Sequence, residues 1–123
     1  LRVVATRLRK AARETDTVAR LAGDEFIVLQ PGLTSGARPE ALASRICTEF
    51  EAPWEIAGLN LQVSACIGIS LFPQDGKDER SLVESADVAL YAAKACGDGS
   101  FRRYGVATQI GASPAAAFGG RKP

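Results

Sequence analysis

The 123-residue chain has no histidine and no methionine, and only one tryptophan and two tyrosines. Without histidine there is no Ser-His-Asp triad, no imidazole general base and no His-containing zinc site. Chemistry near neutral pH then falls to carboxylates, Lys, Tyr, Cys or a metal held by oxygen ligands. Without methionine, Leu1 is not an ordinary translational start, and a processed chain or a piece of a longer one is expected. Cysteine is scarce: Cys47, Cys66 and Cys96 are 19 and 30 residues apart, which matches no Cys-rich metal spacing and suggests buried free thiols in a reducing cytosol. No charge of one sign dominates. Fifteen Lys+Arg against 14 Asp+Glu leave a net charge of +1, with no global reason to expect nucleic acid or an anionic membrane as partner. No apolar run approaches the roughly 18 residues of a membrane span. The opening LRVVATRLRK lacks the apolar stretch of a signal peptide. A cytoplasmic domain without membrane contact is expected.

What is present is ordinary for a globular protein, at 46% hydrophobic and 24% charged residues. The length suits one domain burying roughly two-thirds of its unfolded surface.

The pattern begins with an amphipathic helix over residues 2–14, with Val4, Leu8 and Ala11/Ala12 on one face and Arg2, Arg7, Arg9 and Lys10 around it. Two β-type runs, Thr17–Leu21 and Phe26–Leu29, flank Ala22-Gly23-Asp24-Glu25, and Gly23-Asp24 suits a type II′ hairpin turn. Pro31-Gly32 and Ser35-Gly36 mark a loop. A helix follows over 39–50, with Leu42, Ile46 and Phe50 at i+4 steps, stopped by Pro53. Trp54–Ile56 and Leu61–Leu71 suggest a second hairpin around Ala57-Gly58. The later run alternates apolar with small or polar residues over eleven positions, which reads as one long strand. After the turn Pro73–Gly76, a helix over 78–96 carries Leu82, Ala86, Ala89/Leu90 and Ala93. Ser81 and Glu84 have capping-box spacing, Asp78 is an alternative cap, and Gly97 suits a left-handed stop. Ser100–Tyr104 reads as a last short strand. Residues 105–123, without an acid and dominated by small residues, read as a disordered tail. The order α-β-β-α-β-β-α-β, largely hairpin-linked, is α+β in character.

Three constellations carry possible chemistry. Asp24-Glu25 places adjacent, mutually repelling carboxylates at a turn. Taken alone this reads as a solvated hairpin tip. A divalent cation would explain the second acid, because Mg²⁺ uses one or two carboxylates together with substrate phosphates, and Gly23 would let a ligand approach the backbone. Asp87, Tyr91 and Lys94 share one helix face, with the acid early and the base late as the helix dipole favours. Arg13-Glu14-Thr15-Asp16 taken alone is a weak exposed ion pair.

The strings ARLAGDEFIVL, SACIGISLFPQDG and ADVALYAAKACG, in this order and spacing, closely resemble the GGDEF family of diguanylate cyclase domains, and the resemblance runs from Leu1 to Tyr104. It implies a central mixed, largely antiparallel sheet flanked by helices, like nucleotidyl cyclase and palm cores. It also implies condensation of two GTP into cyclic di-GMP with Mg²⁺ (or Mn²⁺), by two such domains facing each other as a homodimer. By resemblance, Gly23 lies near the nucleotide, and Asp24 and Glu25 hold metal and help deprotonate the ribose 3′-hydroxyl. Phe26 is the structural aromatic, and Lys94 contacts the triphosphate. Arg13 and Asp16 match the family's RxxD product-inhibitory site for cyclic di-GMP, with Arg45 as a possible helper.

Two positions depart from the family pattern. Ala22 replaces the first signature glycine, and Asp98 stands where a second cation is usual. The family's first block, with another metal-binding aspartate and the guanine-recognising residues, would precede Leu1. Residues 1–104 are therefore expected to be a partial domain with little or no turnover by itself. The alternative is a degenerate module that binds cyclic di-GMP or GTP to regulate a partner. An RNA-binding sheet fits poorly, since Ser64, Cys66 and Gly68 offer no aromatic platform.

Overall fold

The computed structural model describes residues 2–33 and 38–105. Their order is α1 (Arg2–Ala11), β1 (Thr17–Ala22), β2 (Glu25–Leu29), α2 (Glu40–Glu51), β3 (Trp54–Ile56), β4 (Leu59–Leu61), β5 (Ile67–Ile69), α3 (Glu79–Cys96) and β6 (Phe101–Arg103). The fold is α+β, as expected, with one more strand than the sequence pattern predicts. The expected tail over 105–123 lies outside the described residues, apart from Gly105, and so does the Ser35-Gly36 loop.

The strands pair in twos. β1 and β2 are antiparallel, with Ala22 opposite Glu25 and only Gly23 and Asp24 in the turn. Gly23 has φ +52° and Asp24 no positive φ, the sign pattern of the predicted type II′ turn. The register slips between Arg20 and Ala22, so Leu21 is a bulged residue. β3 and β4 form a second hairpin through Ala57 (φ +53°) and Gly58 (φ +80°), two consecutive left-handed residues as a type I′ turn demands. β5 and β6 are parallel, and α3 supplies the crossover that parallel pairing requires.

The single strand expected over 61–71 does not form. Leu59–Leu61 pairs with β3, whereas Ile67–Ile69 pairs with β6, and residues 62–65 carry no ladder. Two different partners break the run despite its clean alternation. Its small-residue face is also not solvent-exposed. Cys66 packs against Ala86, Ala89, Leu90 and Ala93 of α3, while Ala65 and Ile67 join a larger core with Leu8, Phe26, Leu42, Ile46, Phe50 and Trp54. β5 is thus covered on both sides, and its small residues are the bed for an alanine-faced helix.

The helix ends differ slightly from expectation. α1 ends at Ala11, not residue 14, because Arg13 and Asp16 close a turn on themselves. For α3, Asp78 is the cap: its carboxylate accepts the Ser81 N–H at 2.8 Å, and the Ser81 hydroxyl accepts the Asp78 N–H at 3.2 Å. Glu84 instead pairs with Arg80 at 3.2 Å. Gly97 has φ +115° and ψ 174°, so it ends α3 in an extended glycine conformation and not in the left-handed one expected. At Gly76 a Cβ would come within 2.7 Å of Ser81 Oγ and 2.8 Å of Leu82 N, so glycine is required where the loop meets the helix.

Candidate functional site

The β1–β2 hairpin presents Gly23, Asp24 and Glu25 at its tip, with Gly23 exposed and the two acids half-buried. Phe26 anchors the hairpin in the core at 3% exposure and fixes where the tip projects. A Cβ built on Gly23 would meet nothing within 4 Å, so the space over this backbone is open to a ligand. Arg20 Nε donates to the Gly23 carbonyl at 2.8 Å and braces the turn from within β1. Sequence reasoning missed that brace, because an arginine on an exposed strand face gives no periodic signal.

Ala22 is exposed and has no positive φ. Its backbone therefore has no conformational need for the family's glycine, and the methyl group's effect is confined to space near a ligand. Two consecutive carboxylates beside an open glycine fit Mg²⁺ completed by waters and substrate phosphates. They do not fit a closed protein cage, and no group of three or more His, Cys, Asp or Glu assembles among the described residues.

Lys94 lies near the end of α3, half-buried, with no side-chain hydrogen bond or ion pair among the described residues. Its carbonyl accepts the Gly97 N–H at 3.2 Å. α3 packs on β5 and β6, and Ile67 of β5 and Phe101 of β6 share a core with Phe26 beneath the hairpin tip. Asp98 is exposed in the turn between Gly97 and Gly99. Asp87 and Tyr91 are exposed on α3, consistent with a solvated face.

Arg13 and Asp16 form a clasp. The Asp16 carboxylate accepts the Arg13 backbone N–H at 2.8 Å and the guanidinium at 3.0 and 3.2 Å. Arg13 also donates to the Pro31 carbonyl at 3.0 Å, tying the α1–β1 turn to the end of β2. The Asp16 side chain is fully covered while that of Arg13 is 43% exposed, so only the arginine offers a free face. Arg45 reaches this turn from α2: its Nε donates to the Ala11 carbonyl at 3.1 Å, two residues before Arg13, and satisfies the C-terminal end of α1.

Two thiols are covered. Burial pushes Cys47 up to about 11, helped by the neighbouring Cys66 and Glu51. Cys66 is buried as expected, but Cys96 is exposed at the end of α3 and its sulfur accepts from Arg102 at 2.9 Å; none of the three cysteines is in a disulfide. Among the described residues no helix is long and apolar enough to cross a membrane.

The family model for the diguanylate cyclase GGDEF domain matches residues 1–100. The chain is 41% identical over 100 residues to the diguanylate cyclase TpbB of Pseudomonas aeruginosa, covering 80% of this chain and 23% of that protein. It is 39% identical over 97 residues to the cyclic di-GMP phosphodiesterase NbdA of the same species, covering 79% of this chain and 12% of that protein. The chain thus spans less than a quarter of either relative. Among solved structures, the EAL/GGDEF domain protein of M. capsulatus superposes with a TM-score of 0.77 at 34% identity, over 84% of this chain and 66% of that one. The GGDEF domain of TpbB superposes at 0.73 and 36% identity, over 82% of this chain and 63% of that one.

Proposed function

The chain belongs to the GGDEF family of diguanylate cyclase domains, and from that premise we propose that its hairpin tip binds GTP with Mg²⁺ for condensation into cyclic di-GMP. The observation that carries the proposal is the Gly23-Asp24-Glu25 tip: open backbone beside two consecutive carboxylates, on a hairpin anchored by Phe26. Asp24 and Glu25 would hold the cation, and Gly23 would let the triphosphate run close to the main chain. When bound, Mg²⁺ neutralises triphosphate charge and lowers the pKa of the attacking hydroxyl. The carboxylates also accept the proton from the ribose 3′-hydroxyl, and Lys94 supplies a positive charge to the phosphates. Each tip carries one nucleotide, so a complete reaction requires two domains face to face.

The test is product formation by the chain within its full-length protein, given GTP and Mg²⁺ and read by chromatography for cyclic di-GMP. Asp24→Asn should lower turnover by about 100-fold or more, the scale expected when a metal-holding or proton-accepting group is lost. A folded, dimeric protein that yields no cyclic di-GMP would overturn the cyclase reading.

A second reading has its own support. Matched relatives include proteins named as cyclic di-GMP phosphodiesterases, and this chain has Ala22 and Asp98 at two signature positions. Under it the domain binds GTP or cyclic di-GMP and regulates a partner, with Arg13 and Asp16 as the cyclic di-GMP site. Calorimetry with cyclic di-GMP separates the two: binding lost in Arg13→Ala, without turnover of GTP, favours the regulatory module.

A further inference from the structure

We propose that the cleft between α1 and the β1–β2 hairpin is a metal-independent site for phosphate groups, read by Arg2, Arg9 and Arg20. The cleft encloses about 260 Å³ and is lined by Arg2, Ala5, Arg9, Val18, Arg20 and Phe26. Three arginines from two elements line it, and none of its lining residues is acidic.

Arg2, Ala5 and Arg9 stand at i, i+3 and i+7, one face of α1. Neither the Arg2 nor the Arg9 side chain makes a hydrogen bond or ion pair among the described residues. Arg20 uses Nε on the Gly23 carbonyl, which fixes its plane and leaves its terminal nitrogens available. Ala5, Val18 and Phe26 give the cleft an apolar floor beneath the exposed arginines.

The electrostatics of α1 point the same way. Its sequence RVVATRLRKA holds four cations and no acid, and Arg2 sits at the end where the helix dipole already repels positive charge. The other cations of α1 are occupied: Arg7 binds three carbonyls, and Lys10 lies 3.9 Å from Glu49. Arg2 and Arg9 are left uncompensated beside the braced Arg20. Planar guanidinium forks match phosphate oxygens in pairs, and three of them suit a ligand carrying two or more negative charges, a diphosphate or triphosphate. This does not rest on the cyclase reading, which needs Asp24, Glu25 and Mg²⁺.

Titration calorimetry of the full chain with sodium tripolyphosphate, in EDTA and moderate salt, tests the site. Binding is expected, weakened tenfold or more by Arg9→Gln and by Arg20→Gln. Lys10→Gln removes the same charge from the same helix outside the cleft and should leave binding unchanged. No binding in EDTA, or equal loss in Lys10→Gln and Arg9→Gln, overturns the proposal. Arg9 is exposed and unpartnered, so its variant keeps the fold, which a matching circular dichroism spectrum confirms.

Discussion

The guanidinium carbon of Arg7 lies 4.1 Å from the centre of the Trp54 ring. The same guanidinium donates to the carbonyls of Glu49, Ala52 and Pro53 at 2.9, 2.8 and 2.7 Å. Trp54, 1% exposed, in turn donates its indole N–H to the Phe50 carbonyl at 3.0 Å and meets the Phe50 ring edge-on at 5.0 Å. One arginine therefore joins α1 to the end of α2 and the start of β3. It satisfies carbonyls that a helix C-terminus leaves without partners.

Arg7→Ala should destabilise the fold by about 2–4 kcal/mol, the sum expected for charge-assisted hydrogen bonds and a partly desolvated cation–π contact. Arg7→Lys should recover only part of this, because an ammonium cannot span three carbonyls with a planar fork. Urea unfolding followed by Trp54 fluorescence checks both. Equal stability of Arg7→Ala and the parent chain would contradict the anchoring role.

The contrast between Arg7 and Asp78 explains what could be read from the sequence. Asp78 caps the helix that begins one residue later, so a local pattern is enough to nominate it. Arg7 acts 42 to 46 residues away along the chain, and in the sequence it is simply one cation on an amphipathic helix. The same holds for Arg45, whose carbonyl partner on α1 lies 34 residues back. The hairpin tip was legible for the opposite reason: its turn chemistry, Gly23-Asp24, is contained in the turn itself. The run 61–71 misled because alternation reports which side chains share a face and says nothing about which strand pairs where. Small residues at 64, 66 and 68 read as a polar surface until α3 was placed over them.

Gly23 separates space from backbone conformation. Alanine there meets no atom within 4 Å but must hold φ +52°, so Gly23→Ala should cost about 1–2 kcal/mol through the backbone alone. Gly23→Asn should cost less, since Asn is accepted at the positive φ of a primed hairpin turn more readily than Ala. Thermal melts of the two variants side by side test this, and the reverse order would show that steric contact, not φ, sets the requirement.

Asp78 makes the stability of α3 acid-sensitive. Hydrogen bonds from the Ser81 backbone and hydroxyl groups hold its carboxyl below the ordinary value of 3.8. A depressed folded pKa contributes stability that is present above the unfolded value and is lost as pH falls through the folded one. Melts from pH 5 downward should therefore fall less steeply in Asp78→Asn, which keeps an acceptor but cannot titrate. Parallel pH profiles for the two proteins would remove Asp78 from the account.

The thiols give the opposite sign. Cys47 stays protonated in the fold up to about pH 11, against an ordinary value of 9.0, because burial disfavours the thiolate. The folded state then holds a proton that the unfolded chain releases, so stability should decline from about pH 9 towards 11. Cys47→Ala should flatten that decline. At pH 8 iodoacetamide should label exposed Cys96 first, half-buried Cys47 more slowly, and Cys66 only on unfolding. Mass spectrometry of partly labelled protein reads the order, and early labelling of Cys47 would contradict its burial.

The Arg13–Asp16 clasp puts the product-binding reading in a form that stability measurements can separate. Asp16 is fully covered and accepts the Arg13 backbone N–H as well as its guanidinium, so it shapes the turn. Asp16→Ala strands the Arg13 N–H and should lower stability by about 1–3 kcal/mol. In Arg13→Ala that main-chain bond to Asp16 can persist, so the loss should be smaller, about 1 kcal/mol or less for an exposed pair. Under the proposed function the two variants should nevertheless lose cyclic di-GMP binding alike. Calorimetry and denaturation on the same preparations then distinguish the roles. Full cyclic di-GMP affinity in a stably folded Arg13→Ala would leave the clasp as a purely structural turn.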